Sequence, residues 1–154
     1  MNPDEIMFMV NPLIKGEIEP FSGNFLFGRM WEKRDLEYVQ NEFKKSGVRY
    51  IWNLQDTSHG PIGDAEEIWT PIPDQSIPAN LAAFNKDVDK VASLLIDKQK
   101  VFVHCFSGKG RTSLAVAVVL TRFNIPTLEA LRYVKKVIRG PETLEQVYFI
   151  IENY

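Results

Sequence analysis

Residues 101–104, Val-Phe-Val-His, form a short apolar strand that runs directly into Cys105 and the glycine-bearing turn Phe106-Ser107-Gly108-Lys109-Gly110. Arg111 then opens an apolar helix over about residues 111–123, ended before Pro126. A strand and a helix this apolar belong in an interior, and the tight turn between them makes a strand–loop–helix unit. The remaining chain extends the pattern. Strands are expected over residues 24–29, 48–54 and 67–72, with Pro71 and Pro73 stopping the last. Leu36, Val39 and Phe43 mark a helix over residues 34–46, with Gly47 as its C-cap. Leu81, Phe84, Val88, Val91 and Leu95 form a helical stripe, and two further helices fit residues 128–139 and 143–153. Alternating strands and helices with a helical tail predict one α/β domain over residues 1–154. Its mostly parallel central sheet is flanked by helices, and residues 1–20 or so serve as an N-terminal approach.

Composition narrows the function classes. In 154 residues, 45 % are hydrophobic and 25 % charged, the balance of a globular chain. Eighteen Lys and Arg against twenty Asp and Glu leave a charge of −2, which argues against general nucleic-acid or anionic-membrane binding. The longest apolar run, residues 114–120, is too short for a membrane span, and the acidic start does not read as a signal peptide. One cysteine excludes an internal disulfide and points to the reducing cytoplasm. A monomer is expected.

The stretch His104–Thr112 suits a phosphate. Glycines let backbone N–H groups converge on one point, and the helix start adds its positive dipole end. Arg111 offers a planar fork for two phosphate oxygens. The same field stabilises a thiolate, and cysteines so placed titrate at roughly 3.5–7.5. Thr112 adds a hydroxyl within reach of the sulfur.

His-Cys-Phe-Ser-Gly-Lys-Gly-Arg-Thr resembles the His-Cys-x5-Arg-Ser/Thr signature of the cysteine-dependent protein phosphatases, and the small size resembles their dual-specificity branch. Ser113 departs from the glycine of many relatives, at a helix position. The resemblance, from about residue 20 to the C-terminus, implies a protein-tyrosine-phosphatase-like fold. It also implies hydrolysis of phosphate monoesters through a cysteinyl-phosphate, with no metal and no cofactor. Cys105 would be the nucleophile, and residues Phe106, Ser107, Gly108, Lys109, Gly110 and Arg111 the phosphate cradle. Thr112 would assist departure of the sulfur. His104 would hold the loop by hydrogen bonding, though a satisfied strand-end histidine describes it equally well.

A leaving oxygen needs a proton. Asp74, in Pro-Ile-Pro-Asp after a strand, resembles the general-acid loop of small dual-specificity phosphatases, and loops after parallel strands share the Cys105 edge. Its plain alternative is a turn aspartate. Asp56 and Asp64 are runners-up in a loop that reads as solvated surface. Gln146 reads first as a helix-surface glutamine; some relatives use a glutamine in this region to orient water. Arg132, Lys135, Lys136 and Arg139 make a basic stripe opposite Leu131, Val134 and Ile138, by default a solvated face.

Other patterns fail. Residues 23–30 mimic a nucleotide-loop spacing without its Lys and Ser/Thr. One Cys with His59 and His104 makes no convincing zinc site. Trp31, Trp52 and Trp69 are spaced as core or cleft aromatics. The expected substrate is a phosphorylated protein carrying phosphotyrosine with phosphoserine or phosphothreonine. The alternatives are a phosphoinositide, inositol phosphate or RNA 5′-phosphate, or a non-catalytic phospho-binding module; relatives acting on inositol phosphates carry a lysine like Lys109, but often with further basic residues in the loop where this chain has Phe106.

Overall fold

The structure is a computed structural model that describes residues 11–12 and 23–154; most of the expected approach segment therefore lies outside the described residues. Five strands, β1 (Asn11–Pro12), β2 (Phe25–Arg29), β3 (Val48–Asn53), β4 (Glu66–Trp69) and β5 (Lys100–Cys105), form one sheet in the order β1-β2-β5-β3-β4. Strands β2, β5, β3 and β4 run parallel, and β1 pairs antiparallel with β2. The helices are α1 (Leu36–Ser46, after a single 3-10 turn at Lys33–Asp35), α2 (Leu81–Ile96), α3 (Gly110–Thr121), α4 (Thr127–Val137) and α5 (Leu144–Asn153).

Local chemistry accounts for the boundaries. Gly47 closes α1 in the left-handed region at φ 78° and its N–H returns to the Lys44 carbonyl, as expected from the sequence. Asn80 caps α2 by accepting from the Ala83 amide at 3.0 Å. The expected strand 67–72 ends at Trp69. Thr70 still donates to the Asn53 carbonyl and Ile72 to the Leu54 carbonyl, but Pro71 between them has no N–H, so the regular ladder stops. The two-residue β1 was not expected, because so short a pairing carries no periodicity.

Alternation along the strands sorts the core into two layers. Phe25, Trp52, Val101, Val103 and Cys105 face α2, α3 and the C-terminal helices. Leu26, Ile51 and Phe102 face α1 through Val39 and Phe43. Helix α3 is buried along Gly110–Leu120, which is why its sequence shows no polar stripe. Trp52 is fully buried, a burial worth about 2–3 kcal/mol. Its indole N–H donates to Thr70 Oγ1 at 2.8 Å, and Thr70 in turn donates to Asp87 of α2 at 2.7 Å. That chain ties β3 and the end of β4 to α2, beneath the loop that follows. Among the described residues, no helix is long and apolar enough to cross a membrane.

Candidate active site

Because β2, β5, β3 and β4 are parallel, the segments leaving their carboxyl ends collect along one edge. Cys105 ends the central strand there, 1 % exposed, and the turn 106–109 leads into α3. Two close contacts hold the turn. Met30 donates to the Phe106 carbonyl at 3.1 Å, and Ser113 donates to the Lys109 carbonyl at 2.8 Å. Gly108 lies at φ 77°, and a Cβ there would stand 2.7 Å from the Gly28 carbonyl oxygen and 2.9 Å from its carbon. The turn packs on the end of β2 too closely for any side chain at 108.

One turn into α3, Thr112 Oγ1 donates to Cys105 Sγ at 3.1 Å, with both side chains buried. The Arg111 side chain is 4 % exposed and reaches two loops. Its Nη1 donates to the Ile72 carbonyl at 2.9 Å and meets Asp56 Oδ1 at 3.4 Å. Its Nη2 meets Asp74 Oδ1 at 3.4 Å. Asp56 therefore stands as near to Arg111 as Asp74 does, a parity its sequence context did not suggest. Asp64 lines a separate hollow against α1 with Gln40 and Lys44. Beside the turn, a cleft of about 390 Å³ is lined by Arg29, Trp31, Phe106, Ser107 and Lys109 among others, and Phe106 is 68 % exposed at its rim.

His104 is fully buried, with Nδ1 3.2 Å from the Cys105 carbonyl oxygen. Burial, reinforced by His59 nearby, pushes its pKa down to about 3, against the opposing pull of the Cys105 carbonyl contact. The ring is neutral at any ordinary pH.

Two readings of polar residues need correction. Gln146 is not a helix-surface glutamine: it is fully buried, and its side chain is spent on structure. Its Oε1 accepts from the Glu142 and Thr143 amides at 3.0 and 3.3 Å, completing a capping box with Thr143, and its Nε2 donates to the Ser76 carbonyl at 3.1 Å. Gln146 thus ties the start of α5 to the loop that carries Asp74. The loop 56–64 is not all solvated surface either, since the His59 side chain is 12 % exposed and sits 3.0 Å from His104. Ser113 is buried against Gly140, and its hydroxyl has no hydrogen-bond partner among the described residues. The stripe Arg132, Lys135, Lys136 and Arg139 is exposed as expected. Trp31 and Trp52 are core residues, while Trp69 is 44 % exposed and donates to the Gln55 carbonyl.

Sequence reasoning missed Glu142. Its Oε1 accepts from the Gly110 amide at 3.0 Å and lies 3.5 Å from Ser107 Oγ, so a carboxylate from the α4–α5 connection borders the turn. Nothing local in Pro-Glu-Thr announces a contact made 32 residues away.

No protein-family model matches the chain. Protein 197R of Invertebrate iridescent virus 6, named as a candidate tyrosine phosphatase, is 38 % identical over 53 residues. The match covers 32 % of this chain and only 20 % of that protein. Among solved structures, Tk-PTP in its active form is 23 % identical with a TM-score of 0.69, over 85 % of this chain and 90 % of its own. PTPMT1, solved in complex with PI(5)P, is 19 % identical with a TM-score of 0.68, over 85 % and 90 %. Human DUSP28 is 17 % identical with a TM-score of 0.67, over 84 % and 86 %. The chain has the fold of the protein tyrosine phosphatases, in the compact form shared with the small dual-specificity phosphatases.

Proposed function

We propose that the chain hydrolyses phosphate monoesters by nucleophilic catalysis on Cys105. The carrying observation is the Thr112 hydroxyl on Cys105 Sγ at the start of α3, one residue from a buried arginine that two carboxylates flank. Cys105 thiolate attacks phosphorus and the P–O bond to the leaving group breaks. Arg111 and the amides of residues 106–109 and 111 hold the non-bridging oxygens, in a loop already shaped by Gly108, while the Gly110 amide is held by Glu142. Asp74, 75 % exposed at the mouth of the site, gives its proton to the leaving oxygen. In the second step its carboxylate takes a proton from water, which attacks the phosphocysteine. Inorganic phosphate and the thiolate are released, and the Thr112 hydroxyl supports the sulfur as charge returns to it.

Phosphorylated protein side chains are the first substrate class, since the cleft beside the loop is open and edged by the exposed Phe106. A second reading, phosphoinositides or inositol phosphates, has its own observation. Arg29 and Lys109 line the same cleft and supply two cations beside the cradle.

The test is steady-state hydrolysis of an aryl phosphate, then of phosphopeptides and phosphoinositides, by wild type and Cys105→Ser in the presence and absence of EDTA. Wild type should turn over in EDTA, Cys105→Ser should not, and a quenched wild-type reaction should yield phosphocysteine by mass spectrometry. Full activity of Cys105→Ser would overturn the mechanism.

A further inference from the structure

His104 and Cys105 are successive strand residues and point to opposite faces of β5. Behind the nucleophile, on the His104 side, three side chains form a hydrogen-bonded line that the mechanism above does not use. His104 Nδ1 is 3.2 Å from the Cys105 carbonyl oxygen, and His104 Nε2 is 3.0 Å from His59 Nε2. His59 Nδ1 is 2.6 Å from the Gly60 carbonyl oxygen and 3.2 Å from Glu67 Oε2. Glu67 itself accepts from the Asn53 side-chain amide at 3.0 Å, the His59 amide at 2.9 Å and the Ser58 hydroxyl.

The acceptors around the two rings constrain where their hydrogens sit. A carbonyl only accepts, so His104 Nδ1 carries a hydrogen. A neutral His104 then offers a lone pair at Nε2, and His59 Nε2 must donate to it. His59 Nδ1 faces a carbonyl and a carboxylate, so it also carries a hydrogen. On this count both His59 ring nitrogens face acceptors, Nε2 toward His104 and Nδ1 toward the Gly60 carbonyl and Glu67.

We propose that His59, held as an imidazolium by Glu67, is a positioning residue that locks His104 in its Nδ1–H tautomer and thereby fixes the carbonyl of the nucleophile and the start of the phosphate loop. This rests on the reading of Cys105 as nucleophile. The charged and titratable groups that meet the pair come from every neighbouring element: Glu67 from β4, Cys105 from β5 and Arg111 from α3. The Trp31 ring, with its centroid 5.1 Å from His104 and 5.3 Å from His59, and the Phe102 ring, 5.9 Å from His104, fill the remaining sides. Burial, the largest cause, keeps His104 neutral whatever the state of His59. Burial alone would raise the Glu67 pKa, yet the hydrogen bonds from Ser58, Asn53 and the His59 amide bring it below its usual 4.5, which keeps an ionised carboxylate beside His59 Nδ1. If His59 lost its Nε2 proton, His104 could keep a bond to it only by moving its own hydrogen to Nε2, leaving a lone pair against the Cys105 carbonyl.

The chain has two histidines, so ring nitrogen spectra can be assigned with one variant. Two-bond ¹H–¹⁵N correlation at pH 7 should show one imidazolium, His59, and one neutral Nδ1–H ring, His104. Glu67→Gln should remove the imidazolium signature. His59→Phe, which keeps a planar ring, should slow iodoacetamide alkylation of Cys105 at pH 6 by about fivefold, the worth of one hydrogen bond. His59→Gln, which keeps an N–H donor, should recover most of that rate. A neutral His59 in the wild type, or an Nε2–H His104, overturns the proposal. So does an unchanged alkylation rate in His59→Phe with an unaltered unfolding midpoint. These readouts need no turnover, so they fail independently of the phosphatase reading, which Cys105→Ser tests.

Discussion

Arg111 Nη2 and Asp74 Oδ1 stand 3.4 Å apart, and the two ends of that pair lie in opposite surroundings: the guanidinium side chain is 4 % exposed and the carboxylate 75 % exposed. The arginine is further held by the Ile72 carbonyl at 2.9 Å, two residues from Asp74 in the same loop. A rigid cation thus anchors the loop while its carboxylate stays in water, where it can exchange protons with solvent.

Asp74 should matter according to what leaves. With a poor leaving group, such as an unactivated phenol or a serine alkoxide, Asp74→Asn should lose about 10²–10⁴-fold in single-turnover phosphoryl transfer. With an activated aryl phosphate the loss should be far smaller. Asp56 sits at the same 3.4 Å from Arg111, so Asp56→Asn is the control. It should lower rates without changing their dependence on leaving-group pKa. The reverse pattern would transfer the acid role to Asp56.

Arg111→Lys keeps one positive charge but not the fork. Lysine cannot serve the Ile72 carbonyl and both carboxylates while gripping two phosphate oxygens, so kcat/KM should fall by about 10²–10³-fold. Wild-type kcat/KM in that variant would show that Arg111 is not the phosphate clamp.

Gly108→Ala combines an unfavourable positive φ with a 2.7 Å approach to backbone oxygen, and neither Gly28 nor the turn can rotate away as a side chain would. About 2–4 kcal/mol of destabilisation is expected in urea unfolding, from left-handed strain plus overpacking. Inorganic phosphate should also inhibit the variant more weakly than wild type.

Acid stability should report His104. Its folded pKa of about 3 lies below its ordinary 6.5, so as pH drops through 6.5 the unfolded ring gains a proton that the folded ring does not. The contribution is complete above pH 6.5 and declines by at most about 1.4 kcal/mol per pH unit below it, so that about 2 kcal/mol has been lost by pH 5. Glu67, lowered from 4.5, begins to cost stability only at more acid pH, which leaves the interval from 6.5 to 5 clear of it. Urea midpoints across that interval should fall more steeply for wild type than for His104→Asn. Parallel lines would show that the folded ring protonates freely.

The strand–turn–helix unit was legible in the amino-acid sequence because all its determinants are contiguous: an apolar strand, glycines, and an arginine opening an apolar helix. Helix periodicity and Gly47 likewise act within a turn or two of the residues they govern, and so do Asn80 and Thr143, whose caps the structure supplied. The partners of that unit could not be read the same way. Asp56 meets Arg111 across 55 positions, His59 meets His104 across 45, and Glu142 meets Gly110 across 32. The first two follow from the insertion of β5 between β2 and β3, which aligns the loop after β3 with the end of the central strand, and the third from the C-terminal helices packing on α3. Gln146 shows the same limit from the other side: its polarity and helix position suggest solvent, yet packing buries it where three backbone groups hydrogen-bond its amide. Residue type and short-range spacing determined the loop, whereas the order of strands and the packing of the C-terminal helices decided which distant carboxylates and imidazoles surround it, because they bring together loops far apart along the chain.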